Sequence, residues 1–132
     1  MAKHAYIFPG QGSQAVGMGK PLADAFAAAR ETFQEVDDAL SQKLSRIMWE
    51  GPEADLLLTE NAQPAIMANA IAVVRVLEKE MGLNLAVHAR LVAGHSLGEY
   101  SALCAAGTFS LADPARLLKT RGLAMQSAVP LG

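Results

Sequence analysis

The pentapeptide Gly94-His95-Ser96-Leu97-Gly98 follows an apolar run, Leu91-Val92-Ala93, and precedes a helix-forming run, Ser101-Ala102-Leu103-Cys104-Ala105-Ala106. Strand, sharp turn, helix is the setting that a G-x-S-x-G nucleophile elbow requires. Two positions before and after the serine, the backbone comes too close to itself to admit a Cβ, so both places go to glycine. The serine hydroxyl is then presented at the mouth of a helix, where backbone N–H groups and the helix dipole favour developing negative charge. The plainer alternative is a tight turn that needs small residues and carries an idle serine.

At 132 residues the chain is long enough for one domain with one core. Apolar residues make up 52% and charged residues 18%, which fits a well-buried globular protein and excludes a disordered one. A net charge of -2 offers no electrostatic case for nucleic acid or for an anionic membrane surface. No secretory signal precedes the first strand, and charge interrupts every apolar stretch before it could span a bilayer. The single cysteine, Cys104, excludes an internal disulfide and fits a reducing cytoplasm. It falls on the apolar face of the helix after the elbow and reads as a small buried hydrophobe. His4, His88 and His95 stand apart from any second ligand, so no metal site is expected.

Ala5-Tyr6-Ile7-Phe8 predicts a short buried strand, stopped by Pro9-Gly10, and Gly10 to Gly19 form a glycine-rich loop. From about Pro21 to Glu50 the composition is helical, and Phe26, Phe33, Val36, Leu40, Leu44 and Ile47 recur as on one amphipathic helix or a pair. Gly51-Pro52 ends that region. A long helix begins near Thr59 to Asn61, with Pro64 in its first turn and Gly82 as its cap. Its apolar stripe is Ile66, Ala70, Val73, Val74, Leu77 and Met81. His88 to Ala93 is the strand that feeds the elbow. The helix from Gly98 to Ala106 stops at Gly107. Ser110 or Asp113 caps a last helix, with Pro114 at its first position, running to about Ser127; Pro130-Leu131-Gly132 is loop-like. Strands separated by helices imply an α/β fold with a parallel sheet. Two strands are few for such a sheet, so either the chain is part of a larger domain, the favoured reading, or further strands go unread in the sequence.

Two other features bear on chemistry. Phe8-Pro9-Gly10-Gln11-Gly12-Ser13-Gln14 lies at the carboxyl end of the first strand, the edge where ligand sites gather in open α/β sheets. An oxyanion hole needs a second N–H donor from a loop away from the elbow. Gln11 is the candidate, with Leu97 supplying the first; otherwise the loop is a structural turn. Arg121 lies among Leu117, Leu118, Ala124 and Met125 on a helix face that reads as buried. A guanidinium there must find an anion, such as a substrate carboxylate, or snorkel to water. His95, next to the serine, is rejected as the base because adjacent side chains diverge in a tight elbow. Gln63, just before Pro64, reads either as a polar residue near a helix start or as a group that reaches the site.

Taken together, Phe8 to Gln14, Asn61-Ala62-Gln63-Pro64-Ala65, Gly94 to Tyr100, and Arg121-Gly122 followed by Met125 resemble the N-terminal part of the malonyl-CoA:acyl carrier protein transacylase family. The first and third stretches also resemble the acyltransferase domains of polyketide and fatty acid synthases. Met1 just ahead of the first strand is more like the discrete enzyme. The resemblance implies a partial α/β-hydrolase-like parallel sheet with flanking helices. Residues 1–132 would be the N-terminal portion of the large acyltransferase subdomain, without its C-terminal part or the small ferredoxin-like subdomain. It implies ping-pong malonyl transfer from malonyl-CoA, through an ester on Ser96, to the phosphopantetheine thiol of acyl carrier protein in fatty acid biosynthesis. Gln11 and Leu97 would form the oxyanion hole, and Arg121 would bind the malonyl carboxylate. Gln63 would lie in the substrate site. No metal or prosthetic group is implied, since both thioesters are substrates. The family's catalytic histidine has no counterpart here, so the isolated chain is expected to be inactive or nearly so. Either a second chain supplies that histidine or this chain is a fragment. The rival readings are a serine hydrolase, with water as acceptor, and a non-catalytic fragment.

Overall fold

The computed structural model describes residues 4–129, so the loop expected at Pro130-Leu131-Gly132 lies outside the described residues. The elements run β1 (His4–Phe8), α1 (Lys20–Ala25), α2 (Ala27–Leu40), α3 (Leu44–Glu50), α4 (Glu53–Leu57), α5 (Thr59–Met81), α6 (Leu85–His88), β2 (Ala89–Gly94), α7 (Gly98–Ala105) and α8 (Ala112–Ala128). The fold is α/β: β1 and β2 pair in parallel, from His4 opposite Ala89 to Phe8 opposite Gly94, and six helices lie in the crossover between them. Parallel pairing forces a long connection of this kind, because a hairpin turn cannot join parallel strands.

Three expectations about the helices change. The stretch from Pro21 to Glu50 holds three helices. Phe26 is extended and ends α1, and Ser41 is left-handed and ends α2 with its N–H on the carbonyls of Asp37 and Asp38. Pro64 sits inside α5 beyond its first turn, where it has no N–H to offer the carbonyl of Glu60. Tertiary contacts hold that start instead. Lys119 pairs with Glu60 at 2.8 Å and donates to Asn61 Oδ1 at 3.0 Å, while Asn61 Nδ2 donates to the Asp55 carbonyl at 2.9 Å. On α8 the residue before the helix is Leu111, and neither Ser110 nor Asp113 provides a side-chain cap. Gly82 does close α5, in the left-handed conformation that glycine adopts without strain.

The single stripe expected on α5 is also too simple. Asn61 to Ala68 are all buried, whereas Val73 and Met81 are exposed. The buried faces of α5 are enclosed by α2, α3, α4, α7 and α8, which all pack on it. The main core joins Phe33, Val36, Leu44, Met48, Leu56, Ile66, Met67, Leu97, Leu111 and Leu118. A smaller core under the sheet joins Phe8, Val74, Leu85 and Ala102. The first strand was expected to be buried, and only Phe8 is: Ile7 is 67% exposed, and Leu91 on β2 is 50% exposed. Alternate residues of a strand face opposite sides, and here one side is covered. A one-turn helix, α6, takes His88 out of the strand and starts β2 at Ala89.

Candidate active site

Beyond Gly94 the chain leaves the sheet and turns back within four residues. The His95 N–H donates to the Phe8 carbonyl at 3.2 Å, and the Gly98 N–H to the His95 carbonyl at 2.9 Å. The Glu99 N–H donates to the Ser96 carbonyl at 3.1 Å and starts α7. Ser96 occupies the left-handed region, with φ 55°. A non-glycine residue held there costs about 1–3 kcal/mol and persists only where its surroundings over-determine it. Those surroundings are steric. A Cβ on Gly94 would fall on the Gly98 carbonyl, and one on Gly98 would fall on the Phe8 carbonyl. Leu97, fully buried in the main core, pins the turn from below and leaves Ser96 exposed.

Arg121 comes to this serine from α8. Its Nη2 donates to Ser96 Oγ at 3.1 Å, and its Nη1 to Gln63 Oε1 at 2.8 Å. The guanidinium carbon lies 5.7 Å from the centre of the Tyr100 ring, within cation–π range. Among the described residues Arg121 has no carboxylate partner. Its place depends on Gly122, where a Cβ would come within 2.6 Å of Glu60 Cα and 2.7 Å of the Thr59 carbonyl. The bare glycine therefore lets α8 lie on the start of α5. Gln63 is fully buried, and its Nε2 donates to Met125 Sδ at 3.3 Å.

Gln11 belongs to the other loop that leaves the sheet edge. The Phe8 carbonyl bonds the elbow, so the segment after Phe8 starts beside the segment after Gly94. The loop is braced by Ser13 Oγ on the Gly10 carbonyl and by Gly12 N–H on Gln14 Oε1, both at 2.8 Å. Gln11 Nε2 donates to Thr59 Oγ1 at 3.3 Å, which ties the loop to α5. Among the described residues, the backbone N–H groups of Gln11 and Leu97 donate to no other protein group. Gln11 makes no direct hydrogen bond to Ser96.

His95 makes no side-chain hydrogen bond to the serine. A Cβ on Gly10 would come within 2.7 Å of its Nδ1, so the ring packs on the Gly10 loop. Cys104 is half-buried against the main core, and burial pushes its thiol up to about 11; the nearby Arg75 lowers it and Glu35 raises it by lesser amounts. A thiol held protonated in this way is a packing group. Among the described residues no group of three His, Cys, Asp or Glu could hold a metal ion, and no helix is long and apolar enough to cross a membrane.

Ser96, Arg121 and Gln63 thus form one hydrogen-bonded line, with Leu97 adjacent and Gln11 on the neighbouring loop. Sequence reasoning missed two contributors. Tyr100 lies in the first turn of α7, four residues beyond Ser96, a local signal that could have been used. Thr59 meets Gln11 across 48 positions, which no spacing rule reveals.

The site is thus a strained serine between a strand and a helix, faced by a cation from a second helix. The chain belongs to the acyl transferase domain family, which it matches over residues 5–132. Its relatives narrow the comparison. It is 48% identical to a malonyl CoA-acyl carrier protein transacylase of Bacillus subtilis, over all of this chain and 40% of that protein. An acyl-carrier-protein S-malonyltransferase of Bartonella henselae is 63% identical, with a TM-score of 0.94 over all of this chain and 41% of the other. A malonyl transacylase in complex with its type II polyketide synthase acyl carrier protein is 44% identical, with a TM-score of 0.91 over 99% of this chain and 41% of the other. The chain therefore spans about two fifths of the length of these relatives.

Proposed function

We propose that this chain carries the nucleophile and the acyl-recognition half of a malonyl-CoA:acyl carrier protein transacylase. Residues 1–132 are then the N-terminal portion of its large, α/β-hydrolase-like subdomain, and the small ferredoxin-like subdomain lies elsewhere. The single observation that carries the reading is the contact between Arg121 Nη2 and Ser96 Oγ at 3.1 Å. It sets a cation with no carboxylate partner among the described residues beside a serine in a nucleophile's conformation. A malonyl group has its reacting carbonyl and its carboxylate one methylene apart. One group can therefore meet both side chains, with the carboxylate taking a two-pronged bond from the guanidinium.

In the first half-reaction Ser96 Oγ attacks the thioester carbonyl of malonyl-CoA and its proton passes to a base. The backbone N–H groups of Gln11 and Leu97 stabilise the oxyanion. The C–S bond breaks, and coenzyme A leaves as its thiol after taking a proton. In the second half-reaction the phosphopantetheine thiol of acyl carrier protein attacks the malonyl-serine ester, and Ser96 regains its proton. Gln63 lines the same site. The reaction uses no prosthetic group, belongs to fatty acid biosynthesis, and would run in the cytoplasm. The base comes from outside these residues, since the His95 ring packs on the Gly10 loop, and His4 and His88 lie at the end of the strands opposite Ser96.

Incubation of the full-length protein with malonyl-CoA should give a malonyl adduct on Ser96 by intact mass and peptide mapping, and holo-acyl carrier protein should discharge it. Ser96→Ala should give no adduct. Residues 1–132 alone should label on the order of 10³-fold more slowly or worse, for want of the base. An adduct that survives Ser96→Ala, or one that water discharges as fast as the carrier thiol does, would overturn the reading.

A further inference from the structure

The amide of Gln63 is fully buried, yet both of its ends are used. Its oxygen accepts from Arg121 Nη1 at 2.8 Å, and its nitrogen donates to Met125 Sδ at 3.3 Å. These two contacts agree on one orientation of the amide. A guanidinium has only donors, so it must face the oxygen, and a thioether sulfur has only acceptor character, so it must face the nitrogen. Flipping the amide would set N–H against N–H at one end and oxygen against sulfur at the other. Met125 lies four residues after Arg121, one turn along α8, so a single helix face carries both the cation and the group that orients its holder. Gly122 between them allows the close approach to α5 that brings this face onto Gln63.

Residue type at position 63 then has a consequence for charge. A glutamate could hold the guanidinium equally well in geometry, but it would form an ion pair and occupy the charge that a ligand carboxylate needs. An amide fixes the guanidinium without neutralising it. We propose that Gln63, oriented by Met125, is a positioning residue that keeps Arg121 aimed at the Ser96 side and electrostatically free, and thereby sets the preference for acyl groups bearing a carboxylate. This rests on Arg121 being the carboxylate clamp, and it assigns Gln63 a role through Arg121.

The test uses the full-length protein with its catalytic base present. For each variant, kcat/KM is measured with malonyl-CoA and with acetyl-CoA, and the ratio of the two is the readout. Arg121→Ala is the reference for a lost clamp. Gln63→Glu should lower the malonyl-to-acetyl ratio by roughly 100-fold, approaching Arg121→Ala, because its carboxylate competes for the guanidinium. Gln63→Met, close in volume and able to pack, should lower it by about 10-fold, and Met125→Leu by about 3-fold. Malonate protection against thermal unfolding should weaken in the same order, a readout that does not need turnover. If Arg121→Ala removes the preference while Gln63→Glu and Gln63→Met keep it, the positioning role is overturned and the clamp stands. If Arg121→Ala itself leaves the ratio unchanged, the clamp reading fails with it. Should Gln63→Glu not fold, Gln63→Met and Met125→Leu decide by the same ratio.

Discussion

The helical side of the molecule and its sheet side are finished to different degrees. Phe33, Leu44, Met48, Met67 and Leu118 are sealed between α2, α3, α5 and α8. On the sheet side only Phe8 is sealed within β1, and Ile7 and Leu91 stand open to solvent. The site is built across this divide. Ser96, Leu97 and Gln11 come from the sheet's carboxyl edge, and Arg121, Gln63, Met125 and Thr59 come from the helices. On the proposed reading, recognition of the acyl group comes from the helical side, and the attacking serine stands at the sheet's edge with only Leu97 below it reaching the main core. A nucleophile on the less enclosed side needs local reinforcement, and the interlocked glycines of the elbow provide it.

Breaking that reinforcement should have the largest effect. Gly94→Ala puts a Cβ onto backbone that cannot move without unmaking the turn. It should cost more than about 4 kcal/mol in denaturant unfolding, or abolish folding. A loss under 1 kcal/mol would show that the elbow is softer than its contacts imply. Next in size is a direct contrast of the two sides. Phe33→Ala should cost about 3–5 kcal/mol, and Ile7→Ala under roughly 0.5 kcal/mol in residues 1–132. Hydrogen exchange should follow, slow along α5 and faster along β1. Repeating Ile7→Ala in a full-length protein sharpens the comparison, because the difference between the two costs measures any cover that a longer chain lays on β1. The smallest effect concerns Cys104. Its folded-state value of about 11 lies above the ordinary 9.0, so the folded state holds its proton longer than the unfolded state does. Its contribution to stability is complete below pH 9 and fades as pH rises from 9.0 towards 11. Alkylation at pH 8 should be slow in the native protein and fast after unfolding; equal rates would contradict the burial.

What the sequence made legible was local. The elbow could be read because Gly94, Ser96 and Gly98 meet within five residues, and the end of α5 because Gly82 supplies the left-handed turn at its own position. Arg121 could be suspected because its neighbours three and four residues away are apolar. What remained hidden depended on distant partners. Phe26 and Ser41 break the first helical stretch through backbone conformations that neither residue type announces. Of the expected stripe on α5, Val74 is buried while Val73 beside it and Met81 at the helix end are exposed, because the faces that neighbouring helices cover are set by distant partners. Gln63 could be placed near a helix start, but its burial between Arg121 and Met125 joins positions about sixty residues apart.

The bond from the His95 N–H to the Phe8 carbonyl has a consequence in time as well as in space. Ser96 acquires its conformation only when a segment near the beginning of the chain meets one that is synthesised much later, after six helices have emerged between them. Closing so long a loop is among the slower steps available to a chain, whereas helices form locally and early. A nascent chain would therefore carry much of its helical layer before Ser96 takes up its left-handed conformation. The elbow is not made until the two ends of this segment have found each other.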